Sequence, residues 1–426
     1  MTSPGSSRLS RSLSTPQATV IGLGSMVGAG VFTAFAPAAA AAGSALLIGL
    51  AIAAVVATCN ALSSAQLAAQ YPEAGGAYLY GRERLGEWWG FAAGWMFVIG
   101  KTASCAAMAL TVGTYVAGDR WGPLVAVVAV VAMVVVNCLG VTRTATATAV
   151  IVTAVVTVLV VLVVVGLVGG DPTSANLSVA LGDGGVYGVL QAAGLLFFAF
   201  AGYARIATLA EEVRDPRRAI PRAMGGALVG ALLLYAAVGI TALGVLGSDR
   251  LAATPTPLVE LVSASGTDAL APLVRVTAAV AALGALLALL AGVGRTGLAM
   301  ARTGDLPRPL AAVHPRFSVP HRMEILVGVV ICVAVLVVDL RDVIGFSSFG
   351  VLLYYLVANI AAFTQTGADR RWPRGVHVVG AVGCVVLAAT LPVGSVVVGV
   401  VVAAVGFAYR AVRLRREVRP SSRPVG

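Results

Sequence analysis

Charge is scarce in this chain. Asp, Glu, Lys and Arg together make up 11% of its 426 residues, and lysine occurs once, as Lys101. A soluble domain of this length carries about a quarter of its residues as charges, so that class is excluded. Cysteine is sparse and unpatterned. Cys59, Cys105, Cys138, Cys332 and Cys384 are odd in number and lie inside apolar stretches without metal-ligand spacing. They read as small buried hydrophobes rather than a disulfide framework or a zinc site. The three histidines, His314, His321 and His377, fall in or beside loops and suggest no metal site. No Ser-His-Asp set and no carboxylate pair sits in one place, so no catalytic residue is expected. Gly100-Lys101-Thr102 ends like a phosphate-binding loop, but that motif needs a glycine where Trp95 stands. Long polar connections are missing too. The longest are 71–87, 169–184, 212–222, 248–269 and 302–322, and none can hold a core of its own. Neither a cofactor nor a nucleic-acid partner is expected.

Apolar sequence fills the rest. Hydrophobic residues make up 59% of the chain and mean hydropathy is +0.94. Twelve apolar segments are read at 16–42, 44–70, 88–117, 122–140, 145–168, 185–211, 223–247, 270–301, 323–338, 343–364, 375–391 and 393–413. Each is near the roughly 20 residues that cross a bilayer. The expected class is therefore all-α, a polytopic membrane protein with about twelve transmembrane helices.

The net charge of +11 is sorted by position. Arginines crowd the two tails and every second loop, from Arg8 and Arg11 through Arg82 and Arg84, Arg143, Arg214 to Arg222, Arg302 to Arg322 and Arg370 to Arg374, to the run from Arg410 to Arg423. The alternate loops carry only Arg120, Arg250 and Arg341. This positive-inside bias predicts both termini in the cytoplasm and the cell (inner) membrane as the location. Trp88, Trp89, Trp121 and Trp372 lie at segment ends, as interfacial anchors do.

Two segments carry a weak point. Segment 1 holds Gly22, Gly24, Gly28 and Gly30, and segment 6 holds Phe200-Ala201-Gly202. In lipid a helix opens only where its freed peptide groups meet protein, water or a ligand, and paired openings point to a transporter's binding site. The run Leu23, Gly24, Ser25, Met26, Val27, Gly28, Ala29, Gly30 is expected to unwind. N–H groups near Gly28 to Gly30 suit a carboxylate, and carbonyls near Ile21 and Gly22 suit an ammonium group. Segment 6 offers the same pair of ends between Phe198 and Tyr203. Such a site matches the zwitterionic end of an amino acid. Close helix packing is the other use of such glycines; Gly24 and Gly28 have the small-xxx-small spacing. Five segments separate the two breaks, which predicts segments 1–5 repeated with inverted topology in 6–10. The expected organisation is a tail at 1–15, a ten-helix core at 16–364, two additional helices at 365–413 and a basic tail at 414–426.

The text GLGSMVGAGVF of segment 1 resembles the glycine motif of the amino acid–polyamine–organocation permeases. So do YPEAGGAYLYGRERLG at 71–86, FFAFAGYARIATLAEEVRDPRRAIPRAM at 197–224 and GLAMARTGDLPRPLAAVHPRF at 297–317. The resemblance implies a leucine-transporter-like core of five plus five inverted helices, discontinuous helices 1 and 6, alternating access, and amino acids or related amines as cargo. It places Leu23 to Gly30, Phe198, Phe200, Ala201, Gly202 and Tyr203 at the site, with Phe200 or Phe198 as the gating aromatic. The chain departs from the pattern in three places. An acidic residue common after the segment-6 glycine is Ala204 here, followed by Arg205. Segment 5 carries no charge, and Ala278 to Gly294 has no hydroxyl. The first weakens a cationic cargo; the others remove usual handles for protons and sodium.

Lys101 lies well inside segment 3, where a charge marks a pathway or relay by default. It is read as a coupling residue or as an electrostatic tie on segment 1, with a purely structural lysine as the alternative. Arg205 follows the segment-6 break as a candidate gate or substrate contact, or as a partner of Glu211 or Glu212. Glu211, Glu212, Arg214, Asp215, Arg217 and Arg218 read as a charge cluster at the inner end of segment 6. The expected function is secondary transport of a neutral or small amino acid, driven by protons or exchange. An amine antiporter and a transport-inactive sensor stay open, as do monomer and homodimer.

Overall fold

The computed structural model describes residues 13–71, 75–140, 145–179, 181–182, 184–203, 205–206 and 213–418. Residues 1–12 and 419–426 of the two tails, Arg143, Ala204, and Glu211 and Glu212 of the charge cluster lie outside the described residues, as does segment 6 beyond Ile206.

Sixteen α-helices follow in order among the described residues: α1 (Thr15–Met26), α2 (Gly30–Thr33), α3 (Phe35–Ala42), α4 (Leu46–Gln70), α5 (Ala77–Leu85), α6 (Glu87–Cys138), α7 (Ala145–Gly169), α8 (Ser174–Leu177), α9 (Gly185–Phe200), α10 (Pro216–Ala253), α11 (Pro257–Ala264), α12 (Ala271–Arg302), α13 (His321–Val337), α14 (Leu340–Phe363), α15 (Arg374–Thr390) and α16 (Val393–Val418). Eight helical stretches among the described residues are long and apolar enough to cross a membrane. Two of them hold more than one crossing. α6 has 52 residues; straight, it would run roughly 78 Å, more than twice the hydrocarbon thickness of about 30 Å. It folds instead at Gly118, whose φ of 65° and ψ of −172° suit only glycine, with Pro123 starting the next helix soon after. The fold is tight: a Cβ on Gly113 would strike the Gly122 carbonyl. The stretch from Phe35 to Gln70 is likewise divided by a 3₁₀ turn at Gly43–Ala45. With the 17-residue helices α13 and α15, the spans follow the twelve expected segments.

Helices also form where the sequence reads as loop. α11 begins with Pro257 in its first turn and buries Leu258, Leu261 and Val262 on one face. α5 starts after Gly76 and stops at Gly86, both with positive φ. The only strand-like pairing among the described residues is one bridge, Leu13 with Val213, which ties the start of segment 1 to the chain just before α10.

The arginines gather at one end. Arg82 reaches Asp305, Arg84 reaches Thr364, Arg371 reaches the Arg217 carbonyl, and Arg413 lies against Gly304. Thus loops far apart in sequence converge there. The outer faces of α7, α13 and α16 expose rows of valine, among them Val160, Val164 and Val168, then Val329 and Val333, then Val397 and Val401. Lipid covers such surface at no cost.

A Cβ on Gly118 would meet nothing within 4 Å, so its backbone angles alone decide a substitution. Gly118→Ala is expected to destabilise the protein by about 1–3 kcal/mol, read as a lowered melting temperature in detergent.

Candidate functional site

Segment 1 opens between Met26 and Gly30. The Val27 N–H bonds the Leu23 carbonyl at 2.8 Å, the Gly28 N–H turns back to the Met26 carbonyl at 2.7 Å, and the helix resumes at Gly30. The opening comes later than the expected carbonyl end at Ile21 and Gly22. α1 runs through both, and the Ser25 hydroxyl adds a bond to the Ile21 carbonyl at 2.9 Å. Gly22 and Gly24 face Ile206 and Val152 closely and serve packing. Segment 6 stops at Phe200 and continues as a tight turn from Ala201 to Tyr203.

The two interruptions touch. A Cβ on Gly202 would collide with the Ser25 carbonyl, and one on Gly30 would lie 2.6 Å from the Ala199 Cα. Close packing and opening are therefore the same device here: these glycines let two broken backbones abut. The freed carbonyls are then capped from other helices. The Tyr235 hydroxyl of α10 reaches the Met26 carbonyl at 2.7 Å and the Ala199 carbonyl at 3.0 Å. It has one hydrogen, shared between the two breaks. Lys101 of α6 donates from Nζ to the Ala201 carbonyl at 3.0 Å. Both side chains are buried, Tyr235 at 1% exposure and Lys101 at 4%.

Beside the breaks lies a cavity of about 170 Å³. Cavities near 150 Å³ hold a benzene-sized guest, so this one suits a small amino acid. Ser25, Met26, Gly28, Ala29, Gly30, Phe198, Ala201, Gly202, Lys101 and Arg205 line it. The remaining candidates point elsewhere. Leu23 faces Gly230 of α10, and Gly24 faces Val152. Val27 is buried in the core. Phe200 packs edge-on against Tyr235 and Tyr203 stacks on Tyr355, each pair at 5.1 Å. Of the two candidate gating aromatics, Phe198 is the one at the cavity.

Other lining residues escaped the sequence reading: Tyr78 from α5, Phe97, Ser104 and Met108 from α6, Ala285, Leu289, Arg295 and Thr296 from α12, and Tyr354 from α14. Arg295 carried a signal, an arginine within an apolar segment. Tyr235 and Tyr354 carried none, since a tyrosine in a spanning helix is ordinary.

Toward the arginine-rich end, the cavity reaches Tyr78, Arg205 and Arg295. There two of the motifs noted above meet. The Tyr78 hydroxyl donates to Asp305 at 2.8 Å and lies 2.6 Å from the Thr303 hydroxyl; Arg82 pairs with Asp305 at 3.1 Å. Arg410 of α16 also pairs with Asp305, and with Glu87 at 3.3 Å. Asp305 and Arg410 are both 3% exposed. Burial pushes the Tyr78 phenol above the usual tyrosine range, which keeps it a neutral donor. At the other end Phe32 and Tyr115 pack edge to face at 5.9 Å, fully buried, and the Tyr115 hydroxyl bonds the Phe32 carbonyl at 2.8 Å. The cavity lining does not extend past them.

Tyr235→Phe is expected to remove a donor from the Ala199 carbonyl and to leave the Met26 carbonyl with the Gly28 N–H alone. The expected loss of stability is about 1–3 kcal/mol, read by thermal unfolding in detergent, while Phe200→Leu in the same helix contact keeps the hydrogen bonds and costs less.

The sequence that builds this site is similar to those of known proteins. A family model described as amino acid permease matches residues 17–407. A protein named as an uncharacterized transporter in Mycobacterium tuberculosis is 56% identical over 408 residues, covering 95% of this chain and 92% of the relative. The branched-chain amino acid permease of Bacillus subtilis is 24% identical over 393 residues, covering 87% and 84%. The chloroplastic cationic amino acid transporter 7 of Arabidopsis thaliana is 26% identical over 383 residues, covering 83% and 66%.

Proposed function

Because the chain belongs to the amino acid permease family, we propose that it is a secondary carrier for small neutral amino acids, working by alternating access with proton coupling or exchange. It is a multi-pass membrane transport protein and not an enzyme. The observation that carries the finer reading is the meeting of two interrupted helices at one cavity, with Ala29 and Gly30 at the start of the resumed segment 1 and Ala201 and Gly202 of segment 6 lining it together. Half-helix ends of opposite polarity suit the carboxylate and ammonium of one zwitterion.

Charge in the cavity argues for a neutral side chain. Lys101, Arg205 and Arg295 line it, and no carboxylate does among the described lining residues. A cationic side chain entering would face like charge in a medium of low dielectric. Relatives named for both branched-chain and cationic cargo exist, and this charge balance supports the neutral reading here. The arginine-rich end is assigned to the cytoplasm. On that assignment the cavity opens inward, with Phe32 and Tyr115 closing the outer side. Lys101 acts as a gating residue: its ammonium holds the Ala201 carbonyl and so keeps segment 6 interrupted. Arg205 stands at the inward mouth. The core at 16–364 carries the site, with the two further helices at 365–413 attached through Arg410.

Thermal-shift screening of purified protein against the common amino acids and amines tests the cargo. Neutral amino acids are expected to raise the melting temperature and arginine or polyamines are not. Gly28→Leu, whose side chain would meet Ala285, is expected to abolish the shift. Stabilisation by cationic ligands alone would overturn the assignment. Lys101→Met is expected to lower uptake into proteoliposomes by about tenfold or more, the equivalent of ~1.4 kcal/mol in the loaded state; undiminished uptake would remove the gating role.

A further inference from the structure

Away from the cavity, a second polar cluster is buried between α4, α14 and α15. On the reading that this carrier takes up a proton with its substrate, we infer that His377 is the proton-binding residue and that its charge state is passed to the break in segment 6 through Ser63, Asn359 and Asn60.

The histidine is not in a loop, as its sequence position suggested, but 1% exposed on α15. Its Nδ1 lies 2.7 Å from the Ser63 hydroxyl, which lies 2.7 Å from the Asn359 Oδ1. The Asn359 amide donates to the Asn60 Oδ1 at 2.6 Å. Beside Asn60 and Tyr355 stands the phenol of Tyr203, the last residue of the turn that interrupts segment 6. The Tyr203 hydroxyl and the Asn60 Nδ2 are both buried, and the side chains of Asn60 and Tyr355 lie within reach of that hydroxyl. In the other direction the His377 Nε2 lies 3.4 Å from the Gln66 Nε2. Gln66 donates to Gln365 at 2.7 Å, Gln365 to Gln70 at 2.6 Å, and Gln70 to Asp369 at 3.0 Å. One chain of polar side chains thus joins the segment-6 break to the arginine-rich end, and His377 is its one imidazole, the group whose ordinary titration falls between about pH 5 and 8.

The surroundings hold little other charge. α4 and α9 contain no Asp, Glu, Lys or Arg. The charged residues of α14, Arg341 and Asp342, sit at its far end, and Arg410 of α16 is taken by Asp305 and Glu87. Cys59, Tyr203 and Tyr355 are the titratable neighbours from the packed elements, and Cys384 lies on α15 itself. Arg374 begins α15 itself, and Asp369 and Arg371 lie in the loop before it, Arg371 bonded to the Arg217 carbonyl.

Hydrogen bonding gives the charge a mechanical consequence. In the neutral ring, Nδ1–H donates to Ser63, Ser63 donates to Asn359, and Nε2 accepts from the Gln66 amide. A proton added at Nε2 sets two donors face to face, so Gln66 must turn its oxygen inward. That oxygen now accepts from the backbone N–H groups of Arg371 at 2.8 Å and Trp372 at 3.0 Å. Turning it releases the loop between α14 and α15. Asn60 stands between Asn359 and Tyr203, so a rearrangement of the cluster reaches the turn that interrupts segment 6.

The test uses full-length protein in proteoliposomes with a mixture of labelled alanine, valine and leucine. Wild-type uptake is expected to rise several-fold as pH falls from about 8 to about 5.5, the span in which imidazole titrates. His377→Gln is expected to keep substrate exchange at the higher pH and to lose the rise. Exchange in both proteins with the pH profile unchanged in His377→Gln overturns the proton site and leaves the carrier reading standing, as does a flat wild-type profile. No exchange by wild type overturns the carrier reading and this one with it. Where His377→Gln does not fold, Ser63→Ala decides: loss of the Nδ1 partner is expected to move the midpoint by about half a pH unit or more, and an unmoved midpoint overturns the inference.

Discussion

A peptide group that loses its helical partner inside a membrane must find another. That constraint explains most of what is unusual here. Segments 1 and 6 each stop midway, and each stop frees carbonyls from their helical partners. Two side chains from neighbouring helices supply further donors, Tyr235 to Ala199 and, beside the Gly28 N–H, to Met26, and Lys101 to Ala201. One hydroxyl shared by both breaks makes their positions interdependent: moving either segment away loses a bond for the other. The cavity beside them exists because these polar ends are held open rather than closed into continuous helix.

The arginine-rich end is held by a different device. Asp305 takes Arg82, Arg410 and Tyr78 at once, and Glu87 takes both arginines. Asp305 and Arg410 are the buried pair of the set, and removing either leaves the other's charge uncompensated. The set joins the start of segment 3, the end of segment 8 and the last helix, and Tyr78 carries it to the cavity wall. Two motifs more than two hundred residues apart become one structural feature through a single carboxylate. The last helix is thereby tied to the core, although its sequence reads as an appendage.

Much of the fold was legible because lipid imposes a simple rule. A span must be apolar and of fixed length, arginine must stay with one surface, and glycine in mid-span must have a use. Lys101 was legible for the same reason: a lone ammonium in an apolar run has few roles. The position of the first opening was not. Gly22 and Gly24 look as permissive as Gly28, and what separates them is Ile206 and Val152 packed on one pair and Ala285 with the cavity beside the other. Nor was His377 legible. Three residues from Arg374 it reads as a loop neighbour, and only the approach of α4 and α14 turns it into a buried group with partners on both nitrogens.

Sequence alone determined the class, the number and order of spans, the two weak points and the separation of charge, because hydropathy and positive charge act through short windows of chain. Tertiary structure decided which glycines open and which pack, which aromatic faces the cavity, and which side chains cap the freed carbonyls. Those are contacts between different helices, from about 35 to more than two hundred residues apart, and the identity of a tyrosine, serine or histidine carries no mark of the partner that will meet it.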